Sequence, residues 1–580
     1  MLLVSSTVSG LLQAVGIASI MPFIAVVADP TLITENPYLS QVNDYFGFEN
    51  RSEFRLFLGV FAMLTLISTN LLIAVNAWLT FRVCHLGEHD LARRLLRKYL
   101  TGPYEHLQLR NSAELLKLLV SEIERVIIGT MMAGIGVFSD AVETIFIVAL
   151  LFWIDPWVTF VTLLVLSTAY GIIYLLVMPK VARLGSDFAA LNTETYKNAQ
   201  EALGAAKEIK VLGCEEHFVE RFSKPLLRLS KNTITYSTLD IIPAQSLELI
   251  AFGGLLGATL FMMGSEEDTA SVIAMLAMFG FAAYRLIPAL KGLLDGVQEV
   301  RYNMEALDPL WRDFSAPGPA HVDTHAGTVS LRDAIQLENI FFRYSSGRQD
   351  ALSGVELRIR AGKATCFAGP TGAGKSTTID VLLGLLQPSQ GRVLVDGVPI
   401  TLDKQRAWQR NIGYVPQVVF LFDDTVANNI ALGVDPGEID LERVERAARI
   451  AEIHDFIVTK LPDGYRTLVG ERGANLSGGQ RQRIGIARAL YRDPAVLVLD
   501  EATNELDLVT QAGILASLRG LGSRTLIFAS HRPSVAAFCD DIAVLEGGRV
   551  VARGDYAALT VAGSRHRALL QDPGRDQHLQ

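Results

Sequence analysis

The sequence is poor in charged residues and in cysteine. Charged side chains make up 19% of the 580 residues, against about 25% in ordinary soluble proteins, whereas hydrophobic residues reach 50%. Acidic residues outnumber basic ones by 61 to 52, which argues against a nucleic-acid-binding protein, because such proteins carry a clustered basic excess. The four cysteines lie far apart, so we predict neither a disulfide framework nor a zinc site.

Long apolar runs are confined to the first half of the chain. Six of them can cross a bilayer core of about 30 Å, which takes about 20 helical residues. We predict spans near residues 2–27, 55–79, 127–153, 157–178, 241–263 and 269–290. The first run is too long for a signal peptide and lacks a basic leader, so we predict that it is retained. Because the chain enters this span at its second residue, a start further upstream is one interpretation.

Lysine and arginine in the connections indicate the orientation, because they accumulate on the cytoplasmic side. Residues 29–54 hold one, Arg51, whereas residues 80–126 hold eight and residues 179–240 hold nine. The loop 264–268 holds none. We therefore predict that the N-terminus, both long connections and the C-terminal half face the cytoplasm. Both connections keep a helical apolar period, so the spans are expected to continue as helices beyond the membrane.

The segment 36–48 has the features of a short amphipathic helix. Asn36 is a plausible N-cap, Pro37 suits the first helical position and Gly47 lies near the stop. Its apolar side chains fall on one face: Tyr38, Leu39, Val42, Tyr45 and Phe46. Two interpretations remain open, a helix on the outer membrane surface and a helix packed on the ends of the spans.

The composition changes after the sixth span. A helical tail is predicted to run to about Phe314, and a segment rich in proline, glycine and alanine follows. We predict a transmembrane domain over residues 1–314, a linker over 315–328 and a soluble domain over 329–580. The expected fold class is an all-α six-helix transmembrane domain followed by an α/β P-loop nucleotide-binding domain.

A glycine-rich loop carries the first chemical motif. An apolar strand at residues 364–368 precedes the pattern G-x-x-x-x-G-K-[ST], which a helical run follows. Its residues are Gly369, Pro370, Thr371, Gly372, Ala373, Gly374, Lys375, Ser376 and Thr377. The glycines let backbone N–H groups surround phosphate, Lys375 offers charge to the β and γ phosphates, and Ser376 is a candidate magnesium ligand.

A second apolar strand, at residues 495–499, ends in Asp500 and Glu501. An aspartate at that position can hold the magnesium shell, and the next carboxylate can polarise the attacking water. An Asp-Glu pair alone is more often a solvated turn. Combined with the phosphate loop, it predicts nucleotide hydrolysis with Mg²⁺.

The quintet Leu-Ser-Gly-Gly-Gln at residues 476–480 precedes a long helix. With it, residues 335–555 resemble the ATP-binding cassette (ABC) ATPases. The resemblance implies ATP as the nucleotide, Tyr344 stacked on adenine, Gln417 as a sensor of magnesium and of the membrane domain, and His531 at the γ-phosphate.

The resemblance also implies a dimer. In this family the signature residues of one subunit bind the γ-phosphate held by the glycine loop of the other; here they are Ser477, Gly478, Gly479 and Gln480. Because all motifs are intact, a homodimer would have two competent sites. One departure is Asn504-Glu505-Leu506-Asp507, where the family usually shows Ser-Ala-Leu-Asp. Asp507 is retained, but Glu505 adds a carboxylate near a subunit contact.

Six spans ahead of one cassette resemble ABC exporters of the half-transporter type. The resemblance implies short coupling helices near Gly102–Leu109 and Gly213–Phe222. The stretch 467–473 is similar to an exporter-specific segment, in which Glu471 is our candidate for the contact that transmits cassette closure. A solvated acidic turn is the alternative for Glu471.

The cargo is the least determined feature. Arg285 lies within span 6, where a charge is expensive and often functional. It either reaches the headgroups or faces the cavity and holds a phosphate or pyrophosphate. Several segments, including Tyr284–Pro288, resemble bacterial flippases of lipid-linked oligosaccharides. This resemblance implies outward movement of a polyprenyl-pyrophosphate-linked glycan across the inner membrane, with membrane lipid as a partner. Another lipid, a drug or a peptide is the first alternative, and a nucleotide-gated channel or sensor is the second.

Overall fold

Long helices dominate the first half of the chain in this computed structural model. The structure describes residues 2–28, 30–48, 50–154, 156–262, 269–316, 329–345 and 347–561. The chain divides into two units: Met1–Thr101 with Arg110–Gly318, and Gly102–Leu109 with Pro319–Gln580. The predicted linker, apart from residues 315 and 316, and the predicted loop 264–268 lie outside the described residues.

The helices up to the linker, in chain order, are α1 (Leu2–Ala28), α2 (Leu32–Glu35), α3 (Pro37–Phe46), α4 (Arg51–Thr101), α5 (Tyr104–Leu109), α6 (Ser112–Lys117), α7 (Ala133–Ile154), α8 (Pro156–Gly204), α9 (Ala206–Leu212), α10 (Glu215–Met262), α11 (Thr269–Asn303) and α12 (Leu307–Ser315). Within the described residues, three stretches are long and apolar enough to cross a membrane: Arg51–Thr101, Ser112–Trp153 and Thr159–Gly204. The predicted spans at 2–27, 241–263 and 269–290 fall on α1, the second half of α10 and α11. Helices α4, α8 and α10 are far longer than a bilayer crossing, as the sequence led us to expect.

Helix α3 has the predicted caps. The Asn36 side chain accepts hydrogen bonds from the backbone N–H groups of Tyr38 and Leu39, and Gly47 ends the helix with a φ of 67°. Leu39 packs against the buried cluster that includes Phe54, and the Phe46 ring lies 4.9 Å from Phe57. Leu39 and Phe46 therefore contact neighbouring residues, whereas Tyr38 and Tyr45 are exposed, and this arrangement agrees with both interpretations of the helix.

One predicted element is wrong. A short helix was expected near Gly213–Phe222, but α9 ends at Leu212, and its C-cap Gly213 has a φ of 64° and donates to the Ile209 carbonyl. Residues from Glu215 onward form the first turns of α10. A glycine at positive φ ends a helix rather than beginning one, and this explains the shift.

Two π-helical segments, Leu118–Glu122 and Arg125–Met132, separate α6 from α7. They hold a buried ionic group: Lys117 Nζ lies 2.7 Å and Arg125 Nη1 3.0 Å from the carboxylate of Glu122, which is 2% exposed. Arg125 also donates to Asn303 Oδ1 at 3.1 Å and lies over the Phe188 ring. Two cations around one carboxylate thus connect this irregular segment to α8 and to the end of α11.

We expect Glu122→Gln to destabilise the first unit, because it leaves Lys117 and the largely buried Arg125 without their carboxylate. Breaking a buried ion pair in this way removes about 3–5 kcal/mol. Unfolding of the purified full-length protein in detergent measures the loss. The control is Asp90→Asn, which breaks the exposed Arg94–Asp90 pair and should change stability by less than about 1 kcal/mol. Equal losses in both variants would contradict the prediction.

The second unit contains two sheets. Its strands are β1 (Ala334–Phe342), β2 (Leu352–Arg360), β3 (Ala364–Ala368), β4 (Gln390–Val395), β5 (Val398–Pro399), β6 (Ile412–Val415), β7 (Val496–Asp500), β8 (Thr525–Ala529), β9 (Asp541–Glu546) and β10 (Arg549–Gly554). One sheet is antiparallel with the order β2-β1-β4-β5. The other has the order β10-β9-β3-β8-β7-β6 and is parallel except at β10.

The helices of this unit are α5, α13 (Lys375–Leu382), α14 (Gln405–Gln409), α15 (Val426–Ile430), α16 (Leu441–Ile450), α17 (His454–Lys460), α18 (Gly478–Tyr491), α19 (Leu508–Arg519), α20 (Pro533–Phe538) and α21 (Tyr556–Leu559). Strands β3, β7 and β8 are buried at every position, which explains why their sequences are largely apolar. The carboxyl ends of these parallel strands meet at one edge of the sheet, and there the candidate residues collect.

Candidate functional site

The phosphate loop connects β3 to α13, as the strand-turn-helix pattern predicts. Gly369 has a φ of 144°, and a Cβ there would lie 2.2 Å from the Leu545 carbonyl oxygen. Gly374 has a φ of 99° and precedes the first residue of α13. The loop therefore follows a path that only glycine permits at these positions, and it leads into a helix N-terminus, which favours an anion.

Lys375 lies against this loop. Its side chain is buried, and Nζ donates to the carbonyl oxygens of Gly369 at 2.8 Å and Pro370 at 3.0 Å. The ammonium is thus held against the first two residues of the loop. Thr378 supports the same turn, since its hydroxyl donates to the Gly374 carbonyl at 2.8 Å.

Ser376 and Asp500 meet at the carboxyl edge of the sheet. Burial raises the pKa of Asp500, and an interaction with the nearby Ser376 hydroxyl opposes part of that shift. Burial also raises the pKa of Asp380, on α13, to about 6, and the charge of Asp500 adds to the shift. A hydroxyl beside a buried carboxylate is a donor pair that fits Mg²⁺. The sequence pattern identified Ser376 and Asp500 but not Asp380.

Glu501 follows β7 in a left-handed conformation, with a φ of 49°, and its N–H donates to the Ala529 carbonyl at 2.9 Å. Gln417 Nε2 donates to Glu501 Oε2 at 2.9 Å, and His531 Nδ1 lies 3.9 Å from Oε1. Three residues predicted from separate motifs are therefore together. Asn504, which the sequence reasoning treated only as a departure, also donates to Oε2, at 3.1 Å.

The signature residues begin α18. Ser477 is the N-cap: its hydroxyl accepts from the Gln480 N–H, while the Gln480 side chain accepts from the Ser477 N–H at 2.7 Å. The Glu505 carboxylate lies against this turn, since a Cβ on Gly478 would come within 2.0 Å of Oε2. A Cβ on Gly479 would lie 3.1 Å from the Glu505 carbonyl oxygen. The departure from the family pattern is therefore next to the signature glycines of the same chain.

Asp507 caps α19, accepting from the Thr510 N–H at 2.9 Å and from its hydroxyl at 2.7 Å. These hydrogen bonds hold the pKa of Asp507 below its usual range. The loop ahead of it is held by Arg532, which donates to the carbonyl oxygens of Asn504 at 2.7 Å and Leu506 at 3.1 Å. Sequence reasoning missed Arg532, although it directly follows His531.

Tyr344 is half-buried in the loop after β1. Its hydroxyl lies 3.1 Å from Thr377 Oγ1, and its ring meets the Phe342 ring edge-on at 4.9 Å. This places the predicted adenine contact beside the phosphate loop. Glu471 is exposed in a short 3₁₀ turn, which leaves its two interpretations open. The side chain of Arg285 lies outside the described residues.

These features define a P-loop nucleotide hydrolase: a glycine loop on a buried parallel sheet, a Ser-Asp oxygen pair and a glutamate held at a strand end. Membrane-spanning helices precede it in the chain. Comparison with known proteins identifies the family of this hydrolase. The ABC transporter domain family matches residues 352–504, and the ABC transporter transmembrane region matches residues 1–283.

Curated relatives extend the match over most of the chain. An ATP-dependent lipid A-core flippase of Cupriavidus pinatubonensis is 30% identical, covering 87% of this chain and 83% of its own. Flippases of the same name from Cupriavidus metallidurans and Burkholderia pseudomallei are each 31% identical, covering 80% and 84% of this chain and 78% and 80% of their own. The chain therefore belongs to the ABC transporters: it is a multi-pass membrane protein that binds ATP and hydrolyses it to drive transport.

A solved structure has the same fold. A bacterial Atm1-family ABC exporter with ATP bound superimposes with a TM-score of 0.77, covering 96% of this chain and 97% of its own. At 24% identity this likeness concerns the fold alone. The predicted fold class, a helical membrane domain followed by an α/β nucleotide-binding domain, is confirmed.

Proposed function

We propose that the chain is a homodimeric flippase of the bacterial inner membrane. In this proposal it moves a polyprenyl-pyrophosphate-linked oligosaccharide from the cytoplasmic to the outer leaflet. The observation that supports ATP-driven movement of a glycan-bearing lipid is the match to lipid A-core flippases over most of both chains. The proposed domain boundaries remain 1–314, 315–328 and 329–580.

We assign the nucleotide contacts residue by residue. The backbone of residues 369–377 would hold the phosphates, with Lys375 contributing charge and Tyr344 stacking on the base. Ser376, Asp500 and Gln417 would form the shell of Mg²⁺. When bound, Mg²⁺ neutralises charge on the phosphate oxygens.

Glu501 would act as the general base. Its Oε2 is fixed by Gln417 and Asn504, while Oε1 faces His531, so the carboxylate is held in one orientation. In that orientation it can accept a proton from the attacking water, and His531 can donate to the γ-phosphate. A sensor or channel could dispense with this arrangement, and the intact site therefore favours a transporter.

The second subunit would complete each site. Ser477, Gly478, Gly479 and Gln480 lie at a helix N-terminus, where N–H groups favour an anion. Asp507 would contribute to the nucleotide site, and Glu505 would lie near the subunit contact. We propose that ATP closes the two cassettes, that hydrolysis separates them, and that Glu505 tunes the exchange between the two sites.

Two cargoes follow from different observations. The resemblance of segments such as Tyr284–Pro288 favours a lipid-linked oligosaccharide, whereas the names of the curated relatives favour lipid A-core. Reconstitution in proteoliposomes separates them: we expect ATP-dependent flipping of a polyprenyl-pyrophosphate oligosaccharide, with little flipping of lipid A-core. The reverse result would assign the second cargo, and ATPase activity without either would direct the search to other amphiphiles.

Arg285 is the proposed pyrophosphate contact. We expect Arg285→Ala to lower flipping of the pyrophosphate-linked cargo at least about tenfold, since a charged hydrogen bond of about 1.5–3 kcal/mol is lost. Arg285→Lys, which keeps the charge without the planar fork, should retain part of the rate. Unchanged flipping by Arg285→Ala would instead indicate an arginine that only reaches the headgroups.

A further inference from the structure

Helix α5 belongs by its packing to the cassette, although the chain places it between α4 and α6. Its Glu105 reaches residue 345: Oε1 accepts the Ser345 N–H at 2.8 Å and the Ser345 hydroxyl at 2.5 Å. These two bonds lower the pKa of Glu105, so the carboxylate is charged at neutral pH. Because the backbone N–H and the hydroxyl of Ser345 both donate to Oε1 of Glu105, this one oxygen fixes the backbone and the side chain of Ser345.

Ser345 directly follows Tyr344, the proposed base contact. The Tyr344 hydroxyl is held 3.1 Å from Thr377 Oγ1, and its carbonyl accepts the Gly347 N–H at 2.8 Å. Thr377 is buried one position after the magnesium candidate Ser376. The tyrosine is therefore fixed on one side by the phosphate-loop helix and on the other, through Ser345, by Glu105.

We propose that Glu105 is a positioning residue for base recognition: by holding Ser345 it orients Tyr344, so that the affinity for ATP depends on the placement of α5. The proposal rests on the proposed role of Tyr344. Because coupling between two equilibria is reciprocal, bound ATP must stabilise the docked position of α5 by the same factor. Since α5 is joined through residues 102–103 to α4, nucleotide affinity is connected to a helix that spans the membrane.

The test compares nucleotides with and without a base on the purified full-length protein. We expect Glu105→Gln to weaken equilibrium ATP binding about three- to tenfold, as the loss of a charged hydrogen bond on a part-exposed residue suggests. The KM for ATP should rise by the same factor while kcat stays within about twofold. Binding of tripolyphosphate, which has no base, should not change. Ser345→Ala should give a smaller loss, because its N–H still reaches Glu105.

Two further variants separate the possible failures. Tyr344→Ala should weaken ATP binding, and adding Glu105→Gln to it should cause little additional loss, because both act through the same ring. If Tyr344→Ala has no effect, the proposed base contact is wrong. If Tyr344→Ala weakens binding and Glu105→Gln does not, or if Glu105→Gln weakens tripolyphosphate equally, the positioning role is wrong. Gln108→Ala, on the exposed side of the same helix, is the control and should bind ATP as wild type does.

Discussion

Glu501→Gln is expected to bind ATP as tightly as the wild type and to hydrolyse it at least about 100-fold more slowly, the usual effect of losing a general base. The amide keeps the shape of the side chain but cannot accept a proton from water. Its neighbours would remain: Gln417 and His531 come from two other loops, and Asn504 lies three positions further along the same loop. The variant should therefore accumulate as a closed dimer with ATP retained.

Steady-state hydrolysis and the amount of retained ATP after gel filtration measure the two parts of this result. The matched control is Glu546→Gln, the same substitution at the exposed end of β9 in the same sheet, which should hydrolyse ATP at the wild-type rate. Turnover by Glu501→Gln at the wild-type rate would show that another group activates the water.

The parts of the site that could be predicted from sequence are those encoded in one continuous segment. The phosphate loop needs a strand, glycines at positive φ and a helix start, and all of these are local, so residues 369–377 follow from their own pattern. The buried strand before Asp500 is equally local. The signature turn is also closed by its own residues, since Ser477 and Gln480 bond each other.

Contacts between distant segments could not be predicted. Glu105 and Ser345 are 240 positions apart, and only the fold brings them together. Arg532 holds the loop at Asn504 by donating to backbone carbonyl oxygens. Every residue has such a carbonyl, so no side chain in the loop indicates this contact in the sequence. The π-helical turns at 118–132 have an apolar period close to that of an α-helix, so the sequence predicted a regular helix where the structure has the buried group around Glu122.

Mixed dimers should show that each ATP site is shared between two subunits. Within one chain, Lys375 forms a hydrogen bond to the phosphate loop, and Ser477 forms one to Gln480 at the start of α18. If the sites are composite, a dimer of one Lys375→Ala chain and one Ser477→Arg chain keeps a single site with both native groups. In the Glu501→Gln background, we expect this mixed dimer to retain about one ATP, the parent dimer two, and each homodimer of a single variant none. Lys375→Ala removes the ammonium that binds the phosphates, and Ser477→Arg fills the anion-binding turn at the start of α18.

Two affinity tags, one on each chain, isolate the mixed dimer, and retained ATP is counted per dimer. We measure binding rather than turnover because hydrolysis can require both sites of the dimer. In the Glu501→Gln background, the ATP that is retained instead shows the occupancy of each site separately. Recovery of ATP in the mixed dimer also shows that both variant chains fold. If each site instead lay within a single chain, every chain of the mixed dimer would lack one essential group and no ATP would be retained.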